Sequence, residues 1–471
     1  MIKANLFNKI PKAKIIKNVI LYGGLFITGF LFLVRLEGIT QEAQNCLIIF
    51  TLAMTMWITR FIPLAATSLL VLAMLPLLGI MTAAKSFSLF GNEAVFFILG
   101  ALVLSTGLRF SGLSKRVAFW FLNMLHGGAK RLMFGVLASA LFLSFWMPEH
   151  AVVAMLLPMV IDIAKALKLQ KLKSNYGKGL FIALAWGAVI GGVATLLGGA
   201  RNPLAVGILR EDYGLSISFF EWMVAAFPLV IIIGGLSFLI IYYFFPPEIK
   251  KVDQAKKYMK EEINNMGEIS FREKKMGLIM IITVIGWIFF SEKIGLANIA
   301  ILGAVSIFLL HIVTWEEIEK DVYWGAVLMY GGAIALAKAM TMTGAAKWLV
   351  FQFIDNMQFT PLVLIAVLAL ITKGVTESIS NSAAVALILP IAFVLGDQYG
   401  VTPVIIVFTV AITAGLAFCL PIGTPPNALC FSAGYYAVKD VVKAGLVLNF
   451  ISWIIFILIA KYYWPIIGLK F

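Results

Sequence analysis

The chain alternates long apolar runs with short polar ones, and the lengths of those runs set the first expectations. Apolar stretches fall at about 18–36, 44–60, 63–82, 94–110, 225–246, 277–292, 296–313, 324–344 and 444–466, most of them near the ~20 residues that a helix needs to cross a bilayer. Two regions depart from this rhythm. Residues 360–395 place the polar run Thr376-Glu-Ser-Ile-Ser-Asn-Ser382 between two apolar arms, each about a dozen residues and so too short to span. That pattern predicts a re-entrant hairpin whose non-helical tip sits in protein or lines a wet cavity. The run 403–419 then meets Leu420-Pro-Ile-Gly-Thr-Pro-Pro-Asn427, which predicts a broken helix. An earlier pair has the same form. Residues 132–166 are interrupted at Trp146-Met-Pro-Glu-His150, and the run 179–190 ends at Gly191-Gly-Val-Ala-Thr-Leu-Leu-Gly-Gly-Ala-Arg-Asn202.

The two pairs are related by a repeat. Gly100 and Gly112 match Gly332 and Gly344, and Leu157-Pro158 matches Leu389-Pro390, all 232 residues on; Gly198 and Asn202 match Gly423 and Asn427, 225 residues on. Self-similarity of this kind marks a duplicated unit. Lysines collect in the N-terminal segment (Lys3, Lys9, Lys12, Lys14), in the amphipathic stretch 111–130, in the loop 165–178 and in the linker 247–275. A positive-inside bias puts these on the cytoplasmic face. The acidic loop Glu316–Asp321 is expected outside. The first hairpin then enters from the cytoplasm and the second from outside, an inverted repeat with its site near the midplane.

Composition agrees. The 471 residues are 62% hydrophobic and only 13% charged, against about 25% charged in a soluble domain. The expected fold is all-α and polytopic, with about 11 transmembrane helices plus two re-entrant hairpins. The net charge of +14 lies between spans, so it speaks for the lipid bilayer and against nucleic acid. Cys46, Cys419 and Cys430 lie in or beside apolar runs and give no disulfide framework or metal spacing. The first apolar run lacks a cleavage site and reads as a retained helix.

The second-half motifs carry a resemblance. Ser380-Asn381-Ser382, followed by Ala-Ala-x-Ala-x-x-x-Pro390, resembles the hairpin signature of the divalent anion–sodium symporters, the INDY-type di- and tricarboxylate transporters, and Gly423-Thr424-Pro425-Pro426-Asn427 is similar to their broken-helix signature. The resemblance implies a homodimeric elevator in a cell membrane, N-terminus cytoplasmic. Scaffold helices would be 41–130 and 276–344, following an N-terminal segment and first helix at 1–40. Transport elements would be 131–246 and 345–471, with 247–275 as a cytoplasmic linker. It implies that Ser380, Asn381, Ser382, Thr424 and Pro425 contact a substrate carboxylate, and that Thr376, Asn381, Ile379 and Gly423 line a sodium site. The first half departs from the pattern: Pro148-Glu149-His150 replaces Ser-Asn-Thr, and Gly199-Ala200-Arg201-Asn202 replaces Thr-Pro-Pro-Asn.

A dicarboxylate needs donors and positive charge at two ends. Oxygen ligands suit sodium as a hard cation, and the second half keeps them. In the first half a guanidinium, always protonated and able to grip a carboxylate twice, takes their place. Arg201, helped by His150 and Asn202 and balanced by Glu149, is therefore expected to replace one sodium. An arginine cannot leave with the substrate, so the empty carrier would transit with an uncompensated charge. That favours sodium-independent exchange of dicarboxylates (succinate, malate, fumarate, 2-oxoglutarate). The alternative is a sodium-coupled dicarboxylate, citrate or sulfate symporter using the second-half site alone. Glu149 and Arg201 also read as a plain structural bridge, and Lys373 and Glu377 as an i,i+4 pair. Lys338 and Arg109 are expected to snorkel. No cofactor is expected beyond sodium at one site. An enzyme using Glu149 and His150 lacks a nucleophile or second carboxylate, and a channel lacks a continuous ring-lined pore.

Overall fold

The computed structural model describes residues 11–124, 127–249, 252–354 and 358–470; Lys3 and Lys9 lie outside this range. Every regular element among the described residues is helical. The first half runs α1 (Pro11–Leu33), α2 (Gln41–Thr59), α3 (Leu64–Leu77), α4 (Ala83–Phe90), α5 (Glu93–Phe110), α6 (Leu113–Met124), α7 (Ala129–Leu143), α8 (Glu149–Ala166), α9 (Asn175–Gly191), α10 (Arg201–Tyr213) and α11 (Phe219–Phe244). After the linker helix α12 (Asp253–Asn265) come α13 (Phe271–Ile294), α14 (Leu296–Leu309), α15 (Trp315–Asp321), α16 (Trp324–Met342), α17 (Ala345–Ile354), α18 (Pro361–Ser378), α19 (Asn381–Tyr399), α20 (Pro403–Ala414), α21 (Pro425–Ser432) and α22 (Val438–Leu458). Among the described residues, seven segments are long and apolar enough to cross a membrane. Exposed Ile281, Ile282 and Phe289 on α13 show what such a face offers to lipid.

The hairpins are α7–α8 and α18–α19. The second is longer than the apolar run suggested, with arms of 18 and 19 residues. Its tip is correspondingly small: only Ile379 and Ser380 leave the helix, while Thr376, Glu377, Asn381 and Ser382 lie within helical turns. The breaks fall between α9 and α10 (192–200) and between α20 and α21 (415–424). The second begins earlier than expected, because Leu416, Ala417, Phe418 and Cys419 are apolar yet unwound. Backbone groups, not side chains, make that segment polar.

Packing exposes the two-fold relation of the halves. A methyl added at Gly100 of α5 would come within 2.7 Å of Ala300 on α14, and one at Gly332 of α16 within 2.5 Å of Ser68 on α3. Gly332 follows Gly100 by 232 residues, and Ala300 follows Ser68 by the same 232. Each half therefore closes its glycine face on the other half.

The acidic helix α15 is not where its charge suggested. Asp321 pairs with Arg109 at the end of α5 and accepts from Thr106, while Glu317 lies 3.5 Å from Arg272 at the start of α13. It shares a face with the basic linker, since Arg116 binds both Glu273 of α13 and the linker carbonyl of Gly267. Acidic residues contribute little to topology, and these are consumed by neighbouring arginines. Arg109 thus pairs rather than snorkels. Lys338 does too: it binds the Glu211 carbonyl at 2.7 Å and Asp212 at 3.3 Å, tying α16 to the end of α10. Arg210 with Glu93 of α5, and Lys85 of α4 with Glu211, fasten the same end.

Candidate functional site

Four helix N-termini meet where the hairpin tips face the breaks. Each leaves backbone N–H groups without helical partners and carries partial positive charge. In the second half Ser380 caps α19 and Thr424 caps α21, their hydroxyls accepting from Ala383 and Asn427. Pro425 stands at the first helical position, where its missing N–H costs nothing. Thr424 is fully buried and Asn381 and Ser382 nearly so.

The hairpin and the break touch through oxygens. The Thr376 hydroxyl lies 2.9 Å from Asn381 Oδ1 and 2.8 Å from the Ala414 carbonyl. A Cβ at Gly423 would stand 3.2 Å from the Thr376 carbonyl. Thr376, Asn381 and Gly423, three of the residues expected at a sodium site, are brought together. Ile379, the fourth, is the residue at which α18 ends.

Behind the tip lies an arrangement that spacing alone did not reveal. Glu377 does not pair with Lys373 on its own helix. Its carboxylate accepts from the backbone N–H groups of Phe418 (2.8 Å), Cys419 (2.9 Å) and Leu420 (2.8 Å) and from the Asn449 amide (2.6 Å). Lys373 donates to the Leu416 carbonyl (2.8 Å) and to Ser452 (2.9 Å), over the Phe418 ring. Between them the two side chains satisfy donors and an acceptor of the unwound segment, which buried backbone requires.

The first half uses other groups. Thr195 donates to the Phe145 carbonyl (2.7 Å). Asn202 spends its amide on the carbonyls of Gly192 (3.0 Å) and Thr195 (2.7 Å), as its repeat mate Asn427 does on Ala417 (3.0 Å). Asn202 therefore fastens the break through its amide nitrogen, while its Oδ1 has no partner among the described residues. Glu149 opens α8, its N–H bonded to the Gly198 carbonyl (2.9 Å) and its carboxylate 3.0 Å from Arg201 Nη1. The ion pair joins hairpin tip to break.

Arg201 is 1% exposed and reaches across to the other half. A Cβ at Gly415 would come within 2.3 Å of its Nη2 and 2.5 Å of its Nε, and one at Gly199 within 2.6 Å of its Cζ. Two glycines thus make the slot for the guanidinium. Among the described residues Nε and Nη2 have no hydrogen-bond partner, and neither has Asn381 Nδ2. Glu149 balances the charge of Arg201, as expected, and does so without substrate, so what an empty site leaves unmet is hydrogen bonding rather than charge. His150 lies at the same tip, its ring 6.2 Å from that of Tyr323.

Comparisons with known proteins agree with this plan. Residues 12–470 match the family described as the sodium:sulfate symporter transmembrane region. The chain belongs to this family, the divalent anion–sodium symporters. It is 30% identical, over 94% of its own length and 91% of the relative's, to the sodium-dependent dicarboxylate transporter SdcS of Staphylococcus aureus, as found in strains RF122 / ET3-1 and USA300. Among solved structures it is similar in fold to the Alcanivorax borkumensis YdaH transporter (TM-score 0.57, 13% identity, 82% of this chain and 88% of that one) and to Neisseria gonorrhoeae MtrF (TM-score 0.54, 15% identity, 92% and 96%).

Proposed function

We propose that the chain is a secondary transporter of four- and five-carbon dicarboxylates in a cell membrane, working by exchange without a requirement for sodium. The observation that carries this reading is the buried edge of Arg201. Nη1 is committed to Glu149, while Nε and Nη2, the pair that grips a carboxylate side-on, have no acceptor among the described residues. Such donors left unmet cost about 1–3 kcal/mol each. A carboxylate relieves that cost and its departure restores it, which slows the transit of an empty carrier and favours swapping one anion for another. Glu149 and Arg201 already tie the first hairpin to its break, so no sodium is needed for that task. The same reading takes a homodimer with a cytoplasmic N-terminus, in which 131–246 and 345–471 slide as one body past the scaffold 41–130 and 276–344.

A second reading, sodium-coupled symport, is favoured by one observation. The Thr376, Asn381 and Ala414 oxygens cluster in the second half as a hard cation prefers, and the S. aureus relatives are sodium-dependent by name. Counterflow of labelled succinate by purified protein in liposomes, with potassium replacing sodium, separates the two. Undiminished counterflow is expected. Strong stimulation of net uptake into empty vesicles by sodium would overturn exchange.

A further inference from the structure

The groups facing the carboxylate end do not all come from hairpins and breaks. Helix α16 is pinned elsewhere: Gly331 lies against the Phe90 ring and Gly332 against Ser68. On α16 stands Tyr330, with no exposed surface. Helix α10 runs beside α16, with Gly207 against Ile334 and Asp212 beside Lys338 and Thr341, a register that brings Tyr330 toward Arg201 at the start of α10. Helix α16 also packs on α19, which opens at the Ser382 tip, and the Tyr330 hydroxyl has no hydrogen-bond partner among the described residues. Two turns earlier, just ahead of the helix, Tyr323 meets His150 at the first hairpin tip.

A guanidinium only donates, whereas tyrosine and serine hydroxyls each donate once and also accept. Among the described residues the Tyr330 hydroxyl and the Nε and Nη2 groups of Arg201 are buried without a partner, and a carboxylate, which only accepts, would satisfy all three. We infer that Tyr330 is a substrate-binding residue supplied by the fixed part of the protein, its hydroxyl donating to the same carboxylate that Ser382 and Arg201 take. This rests on the dicarboxylate reading above and adds a consequence to it. Sliding the hairpins along α16 would carry Ser382 and Arg201 away from Tyr330. The hydroxyl therefore contributes at one end of the motion and not at the other, making the two faces of the carrier unequal in affinity.

The test is Tyr330→Phe, which removes one oxygen and keeps the ring. In liposomes holding the protein in a single orientation, the half-saturating succinate concentration is measured on each face. The expected result is an increase of about ten-fold on one face, the scale of one hydrogen bond to a charged group, with less than a two-fold change on the other. Equal values for variant and wild type on both faces, or an equal rise on both, would overturn the assignment. Should the variant not transport, the succinate concentration that half-maximally raises its melting temperature in detergent decides: about ten-fold higher than wild type supports the contact, and an unchanged value defeats it. Wild-type counterflow run alongside keeps the two ideas apart. Its absence defeats the dicarboxylate reading, whereas normal wild-type counterflow with an unaltered Tyr330→Phe defeats only the tyrosine contact.

Discussion

The two hairpin-and-break units solve one structural problem with the same pair of charges differently placed. Each must hold an unwound backbone segment in a buried setting, and each employs one glutamate and one cation. In the second half both charges lie behind the tip: Glu377 takes three amides and Lys373 a carbonyl, leaving the tip Ser380-Asn381-Ser382 neutral. In the first half the pair stands at the tip itself, and Arg201 extends into the slot beside Gly415 of the opposite half. On the proposed reading, holding the break and meeting the ligand are separate tasks in one unit and a single task in the other. A neutral tip can gather a mobile cation; a tip that already owns one need not.

The contrast can be broken at several points. Arg201→Ala has the largest expected effect. It removes the central donor and strands Glu149, and breaking a buried pair costs about 3–5 kcal/mol; succinate counterflow should vanish and the detergent melting temperature fall. Full activity would reduce Arg201 to architecture. Asn381→Ala should abolish counterflow as well, but with little change in melting. Glu377→Ala comes next, since it orphans three buried amides at about 1–3 kcal/mol each. Its signature differs from Arg201→Ala: a marked drop in melting temperature, with succinate still protecting whatever protein stays folded. Converting the first half to the second, as Pro148→Ser, Glu149→Asn, His150→Ser and Arg201→Pro together, should produce sodium-stimulated uptake where the wild type shows little; continued indifference to sodium would mean that these four positions do not set coupling. The smallest effect is expected from Lys373→Met. The side chain's bulk is kept and two hydrogen bonds are lost, about 3 kcal/mol in stability before the relief of an uncharged buried side chain, with sodium response unaltered.

Much of this organisation was legible from the chain. Both hairpins, both breaks and the repeat follow from counting polar interruptions and offsets, because such interruptions are rare in an apolar sequence. The proximity of Glu149 to Arg201 was readable too, as two charges at matched landmarks of one unit. What escaped was anything decided across elements. Lys373 and Glu377 have the spacing of a helical pair, and only the packing of α20 and α22 against α18 shows that they serve the break instead. The start of the second break was hidden because Leu416, Ala417 and Phe418 look like helix; their polarity is in the peptide groups. That Asn202 and Asn427 each spend an amide on the backbone of their own break was likewise hidden. The acidic helix α15 was misplaced because its charges answer Arg109 and Arg272, not the membrane potential. Tyr330 gave no signal at all, being an ordinary aromatic in an apolar run.

The exchange of partners between Gly100 with Ala300 and Gly332 with Ser68 bears on how the chain is made. When the first half emerges during synthesis, α3 and α5 each present a small-residue stripe whose cover has not yet been translated. Those helices must wait in lipid until α14 and α16 arrive, so insertion and final packing are separated in time by the length of the linker. Cut at the linker, the two pieces should each insert alone, yet reach a protease-resistant state only when produced in the same cell.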